Sequence, residues 1–158
     1  MSVWRKYTLI IPVSVSLVLF LASCDDSKAS QCQRLVTAVN DGTSLLETNK
    51  GTQVITSLQL AQDLEAVAKN IEEKNFKDPK LQEFQTRFVK VFATLSQNIN
   101  KAGKALGAAK LTEASSSGRD KLQKTRDEID NALKAATIAA KQSDTLAGEV
   151  NKYCSQTE

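Results

Sequence analysis

The stretch "ETNKGTQ", residues 47–53, decides the fold of this chain. It holds seven residues and no apolar one. On both sides of it apolar residues recur every three or four positions, the spacing of amphipathic helices. A single helix running through it would place about two core positions inside. None is present, and Gly51 is of the type that ends helices. The pattern therefore predicts a break. One helix covers about Ser30–Thr48, with Ser30 as its N-cap, and a second covers about Thr52–Asn75.

The rest of the chain after residue 30 follows the same logic, with Ala, Leu, Lys, Glu and Gln dominant and few strand-forming runs. The first helix carries Cys32, Leu35, Val36, Val39, Leu45 and Leu46, with Gly42 on the same stripe. The second carries Val54, Ile55, Leu58, Ala61, Leu64, Ala68 and Ile71. "NFKDPK" (75–80) ends it, with Asp78 placed to cap a third helix and Pro79 at its first position. That third helix, about Pro79–Leu111, has the strongest periodicity, with Leu81, Phe84, Phe88, Phe92 and Leu95 leading into a thinner Ala/Gly half. "TEASSSG" (112–118) reads as a turn. The fourth helix, about Arg119–Tyr153, repeats every seven residues in two rows. One is Leu122, Ile129, Ala136, Ser143 and Val150; the other is Arg126, Leu133, Ala140, Ala147 and Cys154. A seven-residue period favours left-handed bundle packing.

The N-terminus is of a different kind. "MSVWRKY" carries Arg5 and Lys6, and about sixteen uncharged residues follow. These are the positive and apolar regions of a secretory signal peptide. A membrane span needs roughly 20 apolar residues, and Pro12 and two serines weaken this segment as one. Without Arg5 and Lys6 the chain has 19 basic against 18 acidic residues, so the net charge of +3 falls to +1. No dense basic patch is present, so nucleic acid is not an expected partner.

Secretion places Cys32 and Cys154 in an oxidising compartment, where pairing is the default; the alternative is two free or intermolecular thiols. The spacing fits no zinc pattern, and the chain has no His. A disulfide needs Cα atoms within about 7 Å. In an up-down-up-down four-helix bundle the first and last helices end at the same pole; with three helices they end at opposite poles. The break and the disulfide thus support each other. The fold expected is all-α, an antiparallel up-down-up-down four-helix bundle with its terminal helices disulfide-linked.

"Leu21-Ala22-Ser23-Cys24" resembles the lipobox of bacterial lipoproteins, an aliphatic residue and two small residues before an obligatory Cys. The resemblance implies cleavage before Cys24 and attachment of diacylglycerol to its sulfur, with a further acyl chain, such as palmitate, on the new N-terminus. Two or three chains give stable anchoring at about 0.8 kcal/mol per buried CH₂. The alternative is an ordinary signal peptide ending near a Cys. The expected organisation is a signal peptide over 1–23, a lipidated tether over 24–30 and a helical domain over 31–158. From Cys32 to Cys154 the chain also resembles a group of uncharacterised helical-bundle lipoproteins from cyanobacteria, in "QCQRLV", "TSLQLAQDLEAV", "FQTRFVKVF" and "VNKYCSQ". That resemblance implies a periplasmic or thylakoid-lumen location and no particular activity.

No reaction is written in the sequence. A Ser or Cys nucleophile lacks a His base. "GKALGAAK" lacks the ending of a phosphate loop. Glu72 and Glu73 read as a solvated helix face, as does "TRDEID" (125–130), with Arg126 near the apolar row. The Phe84/Phe88/Phe92 column reads as core or as the lining of a ligand pocket. No catalytic residue, metal ligand or cofactor is assigned, and no enzymatic activity is expected. The expected partners are a membrane, through Cys24, and a protein whose identity the sequence does not give. The function expected is a structural or interaction module for a membrane-associated complex; a small-ligand or sensory bundle is the alternative.

Overall fold

Residues 27–48, 53–113 and 115–156 are described by the structure, a computed structural model. Four helices follow in order: α1 (Lys28–Thr48), α2 (Val54–Glu72), α3 (Pro79–Lys110) and α4 (Ser116–Ser155). The described residues contain no strand. The expected break survives as the gap between α1 and α2; Asn49–Gly51 themselves lie outside the described residues.

The helix starts follow from their caps. Asp78 Oδ1 accepts the backbone N–H groups of Lys80 (2.8 Å) and Leu81 (3.0 Å), with Pro79 at the first helical position. Those are orphan donors that a helix start must satisfy. Ser115 does the same for α4, accepting Gly118 N–H at 3.0 Å. That cap moves the start of α4 ahead of the expected Arg119, into the serines read as turn. At α1, Ser27 Oγ accepts Ser30 N–H at 3.2 Å. Ser27, not Ser30, therefore caps α1, and Lys28, Ala29 and Ser30 belong to the helix rather than to a tether.

α3 is the axis of the bundle. Leu81, Phe84, Phe88, Phe92 and Leu95 are buried to 2% exposure or less, each a burial worth about 1.5–3 kcal/mol. α2 runs antiparallel on one side, where Ser57 sits by Gly103 and Ser96 Oγ donates to the carbonyl of Ala61 at 2.7 Å. α4 runs antiparallel on the other, where Arg87 meets Glu149 at 2.7 Å. α1 closes the square. Val36, Val39 and Asn40 lie by Ala147, Val150 and Asn151, so α1 is antiparallel to α4. Among the described residues α1 touches the other three helices, while α2 and α4 do not touch. The order is up-down-up-down, with the terminal helices joined by Cys32–Cys154.

The square is complete over only half its height. α1 has 21 residues and α4 has 40, so they span about 31 and 60 Å at 1.5 Å per residue. Thr48 lies sixteen residues beyond Cys32 and is level with residue 138, sixteen before Cys154. Above that level α4 has α3 beside it but no α1.

This truncation explains where the sequence reading of α4 fails. The buried row facing α3 is Thr125, Ala132, Ala139 and Leu146, one residue round from the expected Arg126/Leu133/Ala140/Ala147/Cys154 row. The expected row faces the α1 position. Its members Ala140, Ala147 and Cys154 are partly buried under α1, whereas Arg126 is exposed and Leu133 is 48% exposed. Leu122, in the other expected row, is 39% exposed for the same reason. In α2, Ile55 is 80% exposed, and Leu60 and Val67 take core places that were not expected.

α1 approaches α3 closely at Gly42. A Cβ there would stand 2.5 Å from the Phe92 ring and 2.9 Å from Val67. Both neighbours are buried, so neither has free space to move into. Gly42→Ala should cost about 1–3 kcal/mol by overpacking. Gly148→Ala in α4, with nothing within 4 Å of the new methyl, should gain about 0.5–1 kcal/mol from helix propensity. Chemical denaturation of the two variants checks the contrast; equal effects would contradict the packing.

Candidate functional site at the disulfide pole

The first turn of α1, the α2–α3 connection and the last turn of α4 meet at one pole. Cys32 and Cys154 are bonded there, with Cα atoms 5.9 Å apart. They are 122 residues apart in sequence. The chain-entropy model assigns a loop of that length about 4–5 kcal/mol, a large share of the roughly 5–15 kcal/mol that holds a domain folded. Cys24, the expected lipid attachment point, lies outside the described residues, as does the expected signal peptide.

The α2–α3 connection, residues 73–78, has little regular backbone bonding of its own, and side chains supply its partners. Gln31 is buried at 3% exposure, and its Oε1 accepts the N–H groups of Lys77 (2.6 Å) and Asp78 (3.1 Å). Gln82 Nε2 donates to the carbonyl of Phe76 at 2.7 Å. Gln85 Nε2 reaches the carbonyls of Ile71 (2.7 Å) and Lys74 (2.6 Å). Arg34 donates to the carbonyl of Asn75 at 3.3 Å and lies over the Phe76 ring. Phe76 itself is buried and joins the core. Buried backbone groups are seldom left unpaired, and three glutamines meet that demand here.

Tyr153, next to Cys154, ties α4 into the same cluster. Its hydroxyl donates to Asp78, 2.9 Å from Oδ2 and 3.1 Å from Oδ1. Its ring packs against Phe84 at 6.0 Å between centroids. Lys28 Nζ stands 3.7 Å from the Tyr153 ring centroid, a cation–π distance. Partial burial works to raise the Asp78 pKa. It is outweighed by the Leu81 N–H, the Tyr153 hydroxyl, the Lys80 N–H and the charge of Lys28, so the carboxyl titrates below the ordinary aspartate value. Burial pushes the Tyr153 phenol up, and the hydrogen bond and charge of Asp78 push it further.

The arrangement is a clamp. Both Asp78 oxygens are engaged by donors that hold the start of α3 and the end of α4. Among the described residues no three His, Cys, Asp or Glu side chains gather as metal ligands would. Glu72 and Glu73 are exposed, as expected. The Phe column is core: the void beside Phe88, lined also by Val36, Val39 and Val150, is about 20 Å³, room for one water at most. The sequence reading placed Asp78 as a cap and paired the cysteines. It missed Gln31, Gln82, Gln85 and Tyr153, whose partners are backbone carbonyls, amides and a carboxylate that no spacing rule brings together.

Asp78 gives a signed pH dependence. Its folded pKa is depressed, so its contribution is present above the unfolded value near 3.9 and is lost as pH falls through the folded value. Asp78→Ala should cost about 0.5–2 kcal/mol at pH 7, and the gap from the native chain should close on acidification below about pH 4. Urea titrations of both chains at several pH values measure this; a gap unchanged in strong acid would contradict the assignment. Comparison with protein families, with characterised proteins and with solved structures finds no match to this chain.

Proposed function

We propose that the chain is a lipid-anchored, non-catalytic interaction module of a bacterial envelope or thylakoid lumen. The observation that carries this reading is the lipobox-like Leu21-Ala22-Ser23-Cys24, which ends four residues before Lys28, the first residue of α1. Four residues span at most about 14 Å. Acyl chains on Cys24 would therefore hold the disulfide pole next to the membrane, with no long flexible leash. Among the described residues no helix is long and apolar enough to cross a membrane. With α4 about 60 Å long, an upright bundle presents its far end well away from the lipid surface.

Two further features support the reading. The pole nearest the anchor is its most tightly bonded part, with the disulfide, the Asp78–Tyr153 clamp and the glutamine contacts together. A rigid base suits a scaffold that presents its other surfaces to a partner. Those surfaces are mixed in charge and include an open groove of about 520 Å³ between α3 and α4, where Lys90, Lys141 and Ile138 flank Val91 and Leu146. The partner proposed is a protein of a membrane-associated complex.

The anchor is tested by expressing the full chain in a bacterium that processes lipoproteins. The mature protein should fractionate with membranes and show by intact mass a start at Cys24 carrying diacylglycerol. Cys24→Ser should release it from the membrane or leave it unprocessed. A soluble native chain with an unmodified Cys24 would sink the reading. Crosslinking of the anchored protein, followed by mass spectrometry, then identifies the partner.

A further inference from the structure

Among the described residues, the place that α1 fills beside α4 is filled only near the disulfide pole. Ala147, Val150 and Asn151 seat α1 there. Three heptads earlier on the same face of α4 lie Arg126, Ile129 and Asp130. These three, with Leu122 and with Ala109 of α3, line an open groove of about 500 Å³. It is the same seam, continued past the end of α1. Leu122 and Leu133 are 39% and 48% exposed along it. In the row that holds Ala140 and Ala147 under α1, the uncovered part carries Leu133 beside Arg126, and the adjacent row adds Leu122 and Ile129, apolar side chains that a merely solvated face does not need.

We propose that a second copy of this chain fills the seam, its α4 laid antiparallel against α4 to form a two-fold dimer. Two observations agree. The first is self-complementarity. When two α4 helices cross antiparallel, Leu122 of each faces Leu133 of the other, and Arg126 of each faces Asp130 of the other. An isologous contact requires this pairing of i with j and j with i. A parallel pairing would set Arg126 against Arg126 instead. The second is position. Among the described residues, the part of α4 without a neighbour on this face runs from Ser116 to about residue 138, with its middle at residue 127. The leucine pair centres between residues 127 and 128, and the charge pair on residue 128. The dimer axis falls at the middle of this stretch, so neither copy's α1 stands in the way.

The dimer places the two disulfide poles at opposite ends, about 80 Å apart at 1.5 Å per residue of α4. The proposal does not use the lipid anchor, and a Cys24→Ser chain must dimerise equally well. Loss of one reading leaves the other intact.

The test is the mass of the full chain, purified in mild detergent, by light scattering over a range of concentrations reaching on the order of 100 µM. The native chain should be a dimer that dissociates on dilution. Arg126→Asp should weaken it at least tenfold by setting like charges together, and Arg126→Asp with Asp130→Arg should restore it. Both positions are exposed in the monomer, and circular dichroism confirms that the variants fold. A native chain monomeric throughout, a dimer indifferent to Arg126→Asp, or a double variant that fails to recover would each overturn the proposal. So would recovery of the chain with a different protein seated on this face of α4.

Discussion

The Cys32–Cys154 bond joins the first turns of α1 to the last turn of α4, and the arrangement of α1 depends on that closure. α1 is the least embedded helix by geometry. It lies against the lower halves of its neighbours only, and its link to α2 has no apolar residue to hold it. Its buried side chains are Gln31, Cys32, Leu35, Ala38 and Val39, all on its lower part, with a close contact at Gly42. The α2–α3–α4 layer has a continuous Phe and Leu spine of its own. The disulfide therefore decides whether the square at the lower pole is closed, more than whether the long helices form.

The pole around that bond is polar in an orderly way. The α2–α3 connection turns the chain within six residues and buries Phe76 while doing so. Its carbonyls and N–H groups would be costly without partners. Gln31 comes from α1, Gln82 and Gln85 from α3, and Tyr153 from α4, so each of three helices bonds to the connection or to its cap. Holding that connection and holding α1 against α4 are thus parts of one structure. The proposed membrane-facing base and the proposed far-end contact lie at opposite ends of α4, one rigid and closed, the other unfinished.

Much of this was legible in the sequence because the core is periodic. The Phe84/Phe88/Phe92 column, the cap at Asp78–Pro79 and the break after Thr48 all rest on local chemistry that a linear reading can reach. Helix α4 shows the limit of periodicity. Its seven-residue rows are continuous from Leu122 to Val150, and a periodic pattern carries no mark of where its neighbour stops. α1 stops at the level of residue 138, so the same row is packed below and open above. Thr125 carries no core signal in a linear pattern because it is polar, yet it is buried and bonds back to the carbonyl of Lys121 at 2.8 Å. The glutamines at the pole carry no local signal either, because their partners are set by distant backbone.

Native-state hydrogen exchange with and without reductant tests most directly the claim that the disulfide seats α1 on an independently packed layer. Opening the Cys32–Cys154 bond should strip protection from the amides of α1 by at least tenfold. The amides around Phe84–Leu95 in α3, and those facing them in α2 and α4, should stay protected, losing no more than the about 4–5 kcal/mol that the bond takes from the unfolded chain and less than α1 loses. Equal loss across all four helices would show that the layer cannot stand without the bond. Unchanged protection in α1 would show that packing alone seats it. Either result contradicts the account.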